Sequence, residues 1–286
     1  MKSGQIAPSH IDVIESNNSI QERNGISQEL FKSFISYLDA KPQTVRTYTT
    51  AIRQFYKHLQ DTNTYRPTRK DILAYRDYLS RDKKPTTVQN YITAVKLFFQ
   101  WAEQEGLYPD IAKHVKGAKL NRKHKKDPLT PEQVKDILNN MQRESLTDKR
   151  DYAIFLLMVT GGLRDIEVHR ANIEDIRPLG VHVVLYIQGK GQDEKLEQPV
   201  QKAIKEYLQE RGQNLSGQDP LFTSTSNNSK GNRLTTRSIS GLIKKAMQEA
   251  GHDSERLTAH SLRHTAVTLS LLGGNTLQEA QEFARH

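Results

Sequence analysis

The chain of 286 residues contains no cysteine. That excludes a disulfide framework, a thiolate zinc site, an iron–sulfur cluster and a cysteine nucleophile. It fits a reducing compartment, and the expected location is cytoplasmic. Long apolar runs are missing too. The longest, residues 152–159, has eight members, far short of the roughly 18 needed to span a bilayer. No apolar segment follows a basic N-terminus, so neither a secretory signal nor a membrane partner is expected. Aromatic residues make up 7% of the chain and hydrophobic residues 35%, with a mean hydropathy of -0.72. Acidic residues are in deficit: 33 Asp+Glu face 42 Lys+Arg, a net charge of +9. An excess of that sign points to a polyanion, nucleic acid foremost and an acidic membrane surface second. At roughly 100–200 residues per domain, the length allows one large domain or two ordinary ones, and two of that size each bury a core without a metal or disulfide staple.

Residues 1–25 are polar and weakly periodic and read as a flexible arm. From there to residue 112 the pattern is helical. Leu30, Phe31, Phe34, Ile35 and Leu38 form one apolar stripe. A short repeat follows, in which Thr44, Val45, Tyr48, Ala51, Ile52, Arg53, Phe55 and Tyr56 recur 43 residues later as Thr87, Val88, Tyr91, Ala94, Val95, Lys96, Phe98 and Phe99. Each copy starts near a Thr suited to capping a helix, has one apolar face and carries one cation. Between the copies, residues 68–79 predict a further helix through Ile72, Tyr75 and Leu79. The region therefore reads as a bundle of about four helices, and the repeat is either two similar core helices or a pair that presents its cations to a partner.

Residues 113–127 read as a basic linker. Over 113–126, seven of fourteen residues are Lys or Arg, two are His and none is acidic. Such a run is either solvated or laid along a phosphate backbone. Residues 128–286 form the second domain. Thr130-Pro131-Glu132-Gln133 is a capping box with Pro at the first helical position. Residues 151–159 are apolar nearly all round, as in a buried helix, which Thr160-Gly161-Gly162 ends. Residues 181–187 are β-rich, Gly189-Lys190-Gly191 turns, and residues 196–200 read as a returning strand. Helices are expected over about 201–210, 236–250 and 260–272, and a last one begins at Asn275 and runs to the end of the chain.

Three places collect polar groups that a core does not need. In Leu163-Arg164-Asp165-Ile166-Glu167, Glu167 sits one turn from Arg164 and is placed to brace it; a plain surface pair is the alternative. In His260-Ser261-Leu262-Arg263-His264-Thr265, helical spacing puts His260, Arg263 and His264 on one face, with Leu262, Ala266 and Leu269 on another. A His and an Arg one turn apart present directed donors to one anion, which suits a phosphate gaining charge in a transition state; a solvated basic face is the alternative. Lys190 at a hairpin tip is either solvent-exposed or reaches into a nucleic-acid groove.

Taken in order, Arg164 in TGGLRDIE, Lys190 in a GKG turn and the string HSLRHT resemble the tyrosine recombinase (phage integrase) family. His286 stands 26 residues after His260, near the place of that family's last histidine. The resemblance runs over residues 27–286. It implies a mainly α fold, with an N-terminal helical core-binding (SAM-like) domain over 26–112 and an α-helical catalytic domain with a small antiparallel β-sheet over 128–286. It implies a site-specific recombinase that forms a 3′-phosphotyrosyl link to double-stranded DNA and rejoins the strands. Arg164 and Arg263 would clamp the non-bridging oxygens. Lys190 would be the general acid for the 5′-oxygen, His260 would assist proton transfer and His286 would hydrogen-bond the phosphate. Arg46, Arg53, Lys96, Lys116, Lys119, Arg122, Lys123, Lys125 and Lys126 are the expected DNA contacts. No metal, cofactor or small-molecule substrate is expected, and the full-length form would assemble as a tetramer on DNA.

The sequence departs from the family pattern in one decisive respect. The nucleophilic tyrosine belongs about nine residues after the last histidine, near position 295, and the sequence stops at His286. A truncated recombinase, binding without cleaving, is the expectation; a natural non-catalytic relative or a regulator of recombination is the alternative. Phe283-Ala284-Arg285 precedes His286 where the family more often has Leu-Gly. Gly161 stands where the family often has Thr, a change compatible with a tight turn.

Overall fold

A computed structural model of the chain describes residues 25–119, 127–188, 192–212 and 214–284. Arg122, Lys123, Lys125, Lys126, Lys190 and His286, and the arm over 1–24, lie outside the described residues. The chain divides into two compact units, Met1–Arg122 and Lys123–His286. The architecture is mainly α with one small antiparallel sheet.

In the first unit the described residues form α1 (Gln28–Tyr37), α2 (Pro42–Asp61), α3 (Arg69–Asp82) and α4 (Pro85–Gln104). The core is aromatic: Phe98 meets Phe31 at a centroid distance of 4.5 Å and Phe99 at 5.0 Å, and Trp101, the one tryptophan, lies 6.0 Å from Phe98. Phe55 and Phe98, equivalent positions of the 43-residue repeat, are both fully buried, so the repeat reflects two helices sharing one core. Their starts differ from the expectation. The N-caps are Lys41 and Lys84, neither with a capping side chain, and Pro42 and Pro85 open the helices. Proline's fixed φ and missing N–H suit the first helical position without a capping hydroxyl. Thr44 and Thr87 sit inside the first turn, their N–H groups donating to Lys41 and Lys84 carbonyls at 2.8 Å.

The stretch 113–119 packs on this unit. Val115 is 2% exposed and joins the aromatic core. Arg76 Nη1 donates to the Lys116 carbonyl at 3.2 Å, and the Gln89 amide lies over Gly117, so a Cβ there would have to displace that side chain.

The second unit holds, among the described residues, α5 (Pro131–Asn140), α6 (Leu146–Gly161), α7 (Asp165–Arg170), β1 (Ile176–Leu179), β2 (His182–Ile187), β3 (Gln192–Lys195), α8 (Gln198–Arg211), α9 (Thr236–Glu249), α10 (Ala259–Leu272) and α11 (Leu277–Phe283). The expected capping box at Thr130 is formed, and a second at Ser145 and Asp148 opens α6. Helix α6 is central: residues 153–159 are all buried, and α8 and α10 pack against it. At its start Arg150 donates to the Thr223 carbonyl at 3.0 Å and pairs with Asp151 at 2.7 Å. Burial holds the Asp151 carboxyl above the usual carboxylate range, with the Arg150 guanidinium opposing the shift.

The sheet order is β1-β2-β3, antiparallel throughout. One expectation fails here and one strand was unforeseen. The strand pairing back on β2 is Gln192–Lys195, and residues 196–200 instead turn into α8, with Pro199 in its first turn. Strand β1 was not anticipated; it is mostly exposed and carries Pro178, which an edge strand tolerates because one side of its backbone needs no ladder bond. The last helix starts after Thr276, not at Asn275: Thr276 and Glu279 form the capping box, while the Asn275 N–H still closes the end of α10 on the Ser270 carbonyl at 3.2 Å.

The start of this unit is fastened to α10. The buried Leu129 N–H donates to Thr265 Oγ1 at 2.8 Å. Thr265→Val keeps the shape and removes the acceptor, leaving a buried N–H unsatisfied, so stability is expected to fall by roughly 1–3 kcal/mol. Urea unfolding checks this; an unchanged midpoint would show the bond to be immaterial.

Candidate active site

The site is built where α6 ends. Gly162 takes φ 58°, the left-handed conformation that terminates the helix. A Cβ there would lie 3.3 Å from the Phe283 ring and 3.4 Å from Ala266. Gly162→Ala therefore combines left-handed strain of roughly 1–2 kcal/mol with displacement of Phe283. Its expected signature is a lowered melting temperature, with α11 gaining faster amide exchange than α5.

The turn delivers Arg164 to the position just before α7. Glu167, in the first turn of that helix, holds it twice with one carboxylate. Oε2 accepts the Arg164 backbone N–H at 2.8 Å and Oε1 accepts Nη1 at 2.8 Å. The Glu167 side chain is 6% exposed and that of Arg164 29%. A buried carboxylate thus sets the direction of a guanidinium that still reaches solvent, more than a surface pair.

Arg263 comes from α10 and is 3% exposed. Its Nη1 donates to the Gly162 carbonyl at 2.7 Å, a contact spanning 101 residues. Arg263 is therefore seated on the turn that leads into Arg164. His260 and His264 are exposed on α10, ring centroids 4.9 Å apart and nearly perpendicular. Arg263 shares their sector of the helix but turns inward, and Leu262 and Ala266 fill the core while Leu269 is only half-buried. An anion at this place meets planar donors held in fixed geometry, with imidazoles on the adjoining helix surface.

The tyrosines of this unit are engaged elsewhere. Tyr207 is buried with its hydroxyl 3.2 Å from Thr223 Oγ1, and the Arg143 and Arg177 guanidinium groups lie over the rings of Tyr152 and Tyr186 at 4.8 and 4.7 Å. Among the described residues no group of three His, Asp or Glu side chains is arranged to hold a metal, and no helix is long and apolar enough to cross a membrane.

In the first unit Arg46 and Arg53 are exposed two turns apart on α2, Lys96 is half-buried on α4, and Lys116 and Lys119 are exposed. A groove of about 380 Å³ gathers Arg76 and Lys83 with Lys119. Sequence reasoning named only Lys119 of these three; the doublet Lys83-Lys84 before Pro85 was the available signal.

Residues 127–286 match the Phage integrase family, and residues 31–106 match the phage integrase N-terminal SAM-like domain. The tyrosine recombinase XerC of Caldanaerobacter subterraneus is 31% identical over 163 residues, 55% of this chain and 43% of that protein. The tyrosine recombinase XerA of Thermococcus kodakarensis is 27% identical over 261 residues, 90% of this chain and 86% of that protein. The match spans about half the length of the first curated relatives, 43%, 54% and 51%. In fold, the chain resembles the XerH site-specific recombinase solved on a palindromic difH substrate in a post-cleavage complex, with a TM-score of 0.72 and 20% identity over 97% of this chain and 82% of that one.

Proposed function

Because the chain belongs to the phage integrase family, we propose that it is a site-specific recombinase whose second unit handles a scissile phosphate of duplex DNA at the Arg164–Arg263 pair. The observation that carries this reading is a pair of guanidiniums each fixed by a separate anchor, Arg164 by the Glu167 carboxylate and Arg263 by the carbonyl of Gly162, two residues before Arg164. Donors oriented before the substrate arrives stabilise developing charge without reorganising.

In the proposed sequence, a tyrosine hydroxyl attacks the phosphorus and the 5′-oxygen leaves, so the bond energy is kept in a phosphotyrosyl ester. Arg164 and Arg263 bind the non-bridging oxygens. His260, exposed beside Arg263, assists proton transfer from the nucleophile. Lys190 gives the leaving oxygen its proton and His286 hydrogen-bonds the phosphate. The basic residues of the first unit and of 113–126 bind the DNA backbone, and the full-length form assembles as a tetramer on DNA. Among the described residues of the second unit, Tyr152, Tyr186 and Tyr207 are engaged elsewhere, which supports a nucleophile supplied from outside these residues. A polypeptide of these 286 residues is proposed to bind DNA and not to cleave it.

The test extends the chain beyond His286 with a tyrosine-bearing helix and presents a nicked suicide substrate. A covalent protein–DNA adduct is expected from the extended chain and none from the 286-residue one. Specific DNA binding with no adduct from either would favour a binding-only relative.

A further inference from the structure

Helix α7 has six residues, and a helix that short does not hold itself together in water. It offers the core one large apolar side chain: Val168 is 1% exposed, whereas Ile166 is 39% exposed. Glu167 fixes Arg164 to this helix by two hydrogen bonds, so wherever α7 lies Arg164 follows. What places α7 is therefore part of what places the guanidinium.

One distant segment, residues 233–240, grips α7 at both ends. Beside Arg164, Ser240 Oγ of α9 donates to Asp165 Oδ2, the first residue of α7. At the other end Arg233 Nη1 donates to the carbonyls of His169 at 2.9 Å and Ala171 at 3.1 Å, and its Nη2 donates to Asn172 Oδ1 at 2.6 Å. A helix end leaves its last carbonyls without intrahelical partners, and a guanidinium supplies several donors in a fixed fork. His169 Nδ1 adds a fourth bond there, donating to the Leu234 carbonyl at 2.8 Å. The gripping segment is itself anchored: Leu234 is 4% and Ile239 0% exposed.

We propose that Arg233 and Ser240 are positioning residues for Arg164: they clamp the two ends of α7 and so hold the guanidinium braced on it where the phosphate arrives. This rests on the reading of Arg164 and Arg263 as a phosphate clamp. Both residues act through α7 and not on the reacting atoms. Arg263 is seated separately, on the Gly162 carbonyl ahead of α7, so loosening either grip displaces one guanidinium of the pair with respect to the other. A misplacement of about 1 Å, made at a distance from the chemistry, costs up to about 10² in rate.

The test is single-turnover adduct formation at saturating nicked duplex, in the chain extended by a tyrosine-bearing helix, with urea unfolding to choose a temperature at which every variant is folded. Ser240→Ala removes the donor to Asp165, and Arg233→Lys keeps the charge but loses the fork. Each should slow the adduct by about 10–10², with affinity for the uncut site unchanged. Ser240→Thr keeps a hydroxyl and should restore the rate. The same two variants made on Arg164→Ala should cost nothing further, because residues that act as a unit are not additive. A merely structural role would lower the unfolding midpoint and leave the rate of the folded protein alone. Parental rates in both folded variants would overturn the positioning role and leave the phosphate clamp standing. Equal slowing with and without Arg164 would overturn it too, since the effect would not pass through that arginine. A parental rate in Arg164→Ala itself, or no adduct from the extended parent, would overturn the clamp, and this inference with it.

Discussion

Arg263→Ala, made in a chain extended by a tyrosine-bearing helix, should slow adduct formation by about 10²–10³, the usual effect of removing one donor aimed at developing charge. Affinity for the uncut site should change little, because DNA binding draws on many cations and this side chain is 3% exposed in the free protein. Arg164→Ala should cost a similar factor, with an added loss of stability, since it takes the guanidinium away from a carboxylate that is 6% exposed. The two losses should not add: each arginine is half of one anion site, and residues acting as a unit give strongly non-additive effects. Arg263→Lys separates charge from geometry, since an ammonium keeps the charge but cannot span two oxygens. Single-turnover assays on a nicked substrate provide the measurement. Adduct formation at the parental rate in either alanine variant would remove that arginine from the mechanism.

DNA affinity should collapse with salt. For six to ten neutralised phosphates, binding weakens by roughly 10³–10⁵ between 50 and 200 mM salt. Arg46 and Arg53 lie exposed on one stripe of α2, so the double variant Arg46→Gln, Arg53→Gln should reduce the log–log slope by about two if each meets a phosphate. Fluorescence anisotropy with a labelled duplex measures both quantities. A flat salt dependence would count against nucleic acid as the partner, and an unaltered slope in the double variant would move the contact surface off α2.

Where the sequence was legible, the signal was local. The run over 152–159 announced a helix buried on all sides, and Thr130-Pro131-Glu132-Gln133 announced its own capping box. The Arg164–Glu167 brace followed from helical spacing alone. Errors arose where two local patterns compete. Leu196 and Val200 fit a strand end as well as the first turn of a helix, and Pro199 decides for the helix. Thr44 and Thr87 are good capping residues, yet Lys-Pro three residues earlier opens each helix first. Strand β1 was hidden because an exposed four-residue edge strand with a proline has no alternating pattern to read. What no local pattern contains is the pairing of distant parts. The seat of Arg263 on Gly162 spans 101 residues, and the burial of Leu185 and Ile187 depends on strand register, which a shift of one residue would reverse.

The bond from Leu129 to Thr265 has a consequence in time. The two groups are 136 residues apart, and at a synthesis rate of about 5–20 residues per second the acceptor is made roughly 7–27 s after the donor. During that interval α6 is made without α10, the helix that packs against it and carries Arg263. The apolar circumference of α6 then waits for that neighbour, and the arginine site cannot come into being until α10 is on the growing chain.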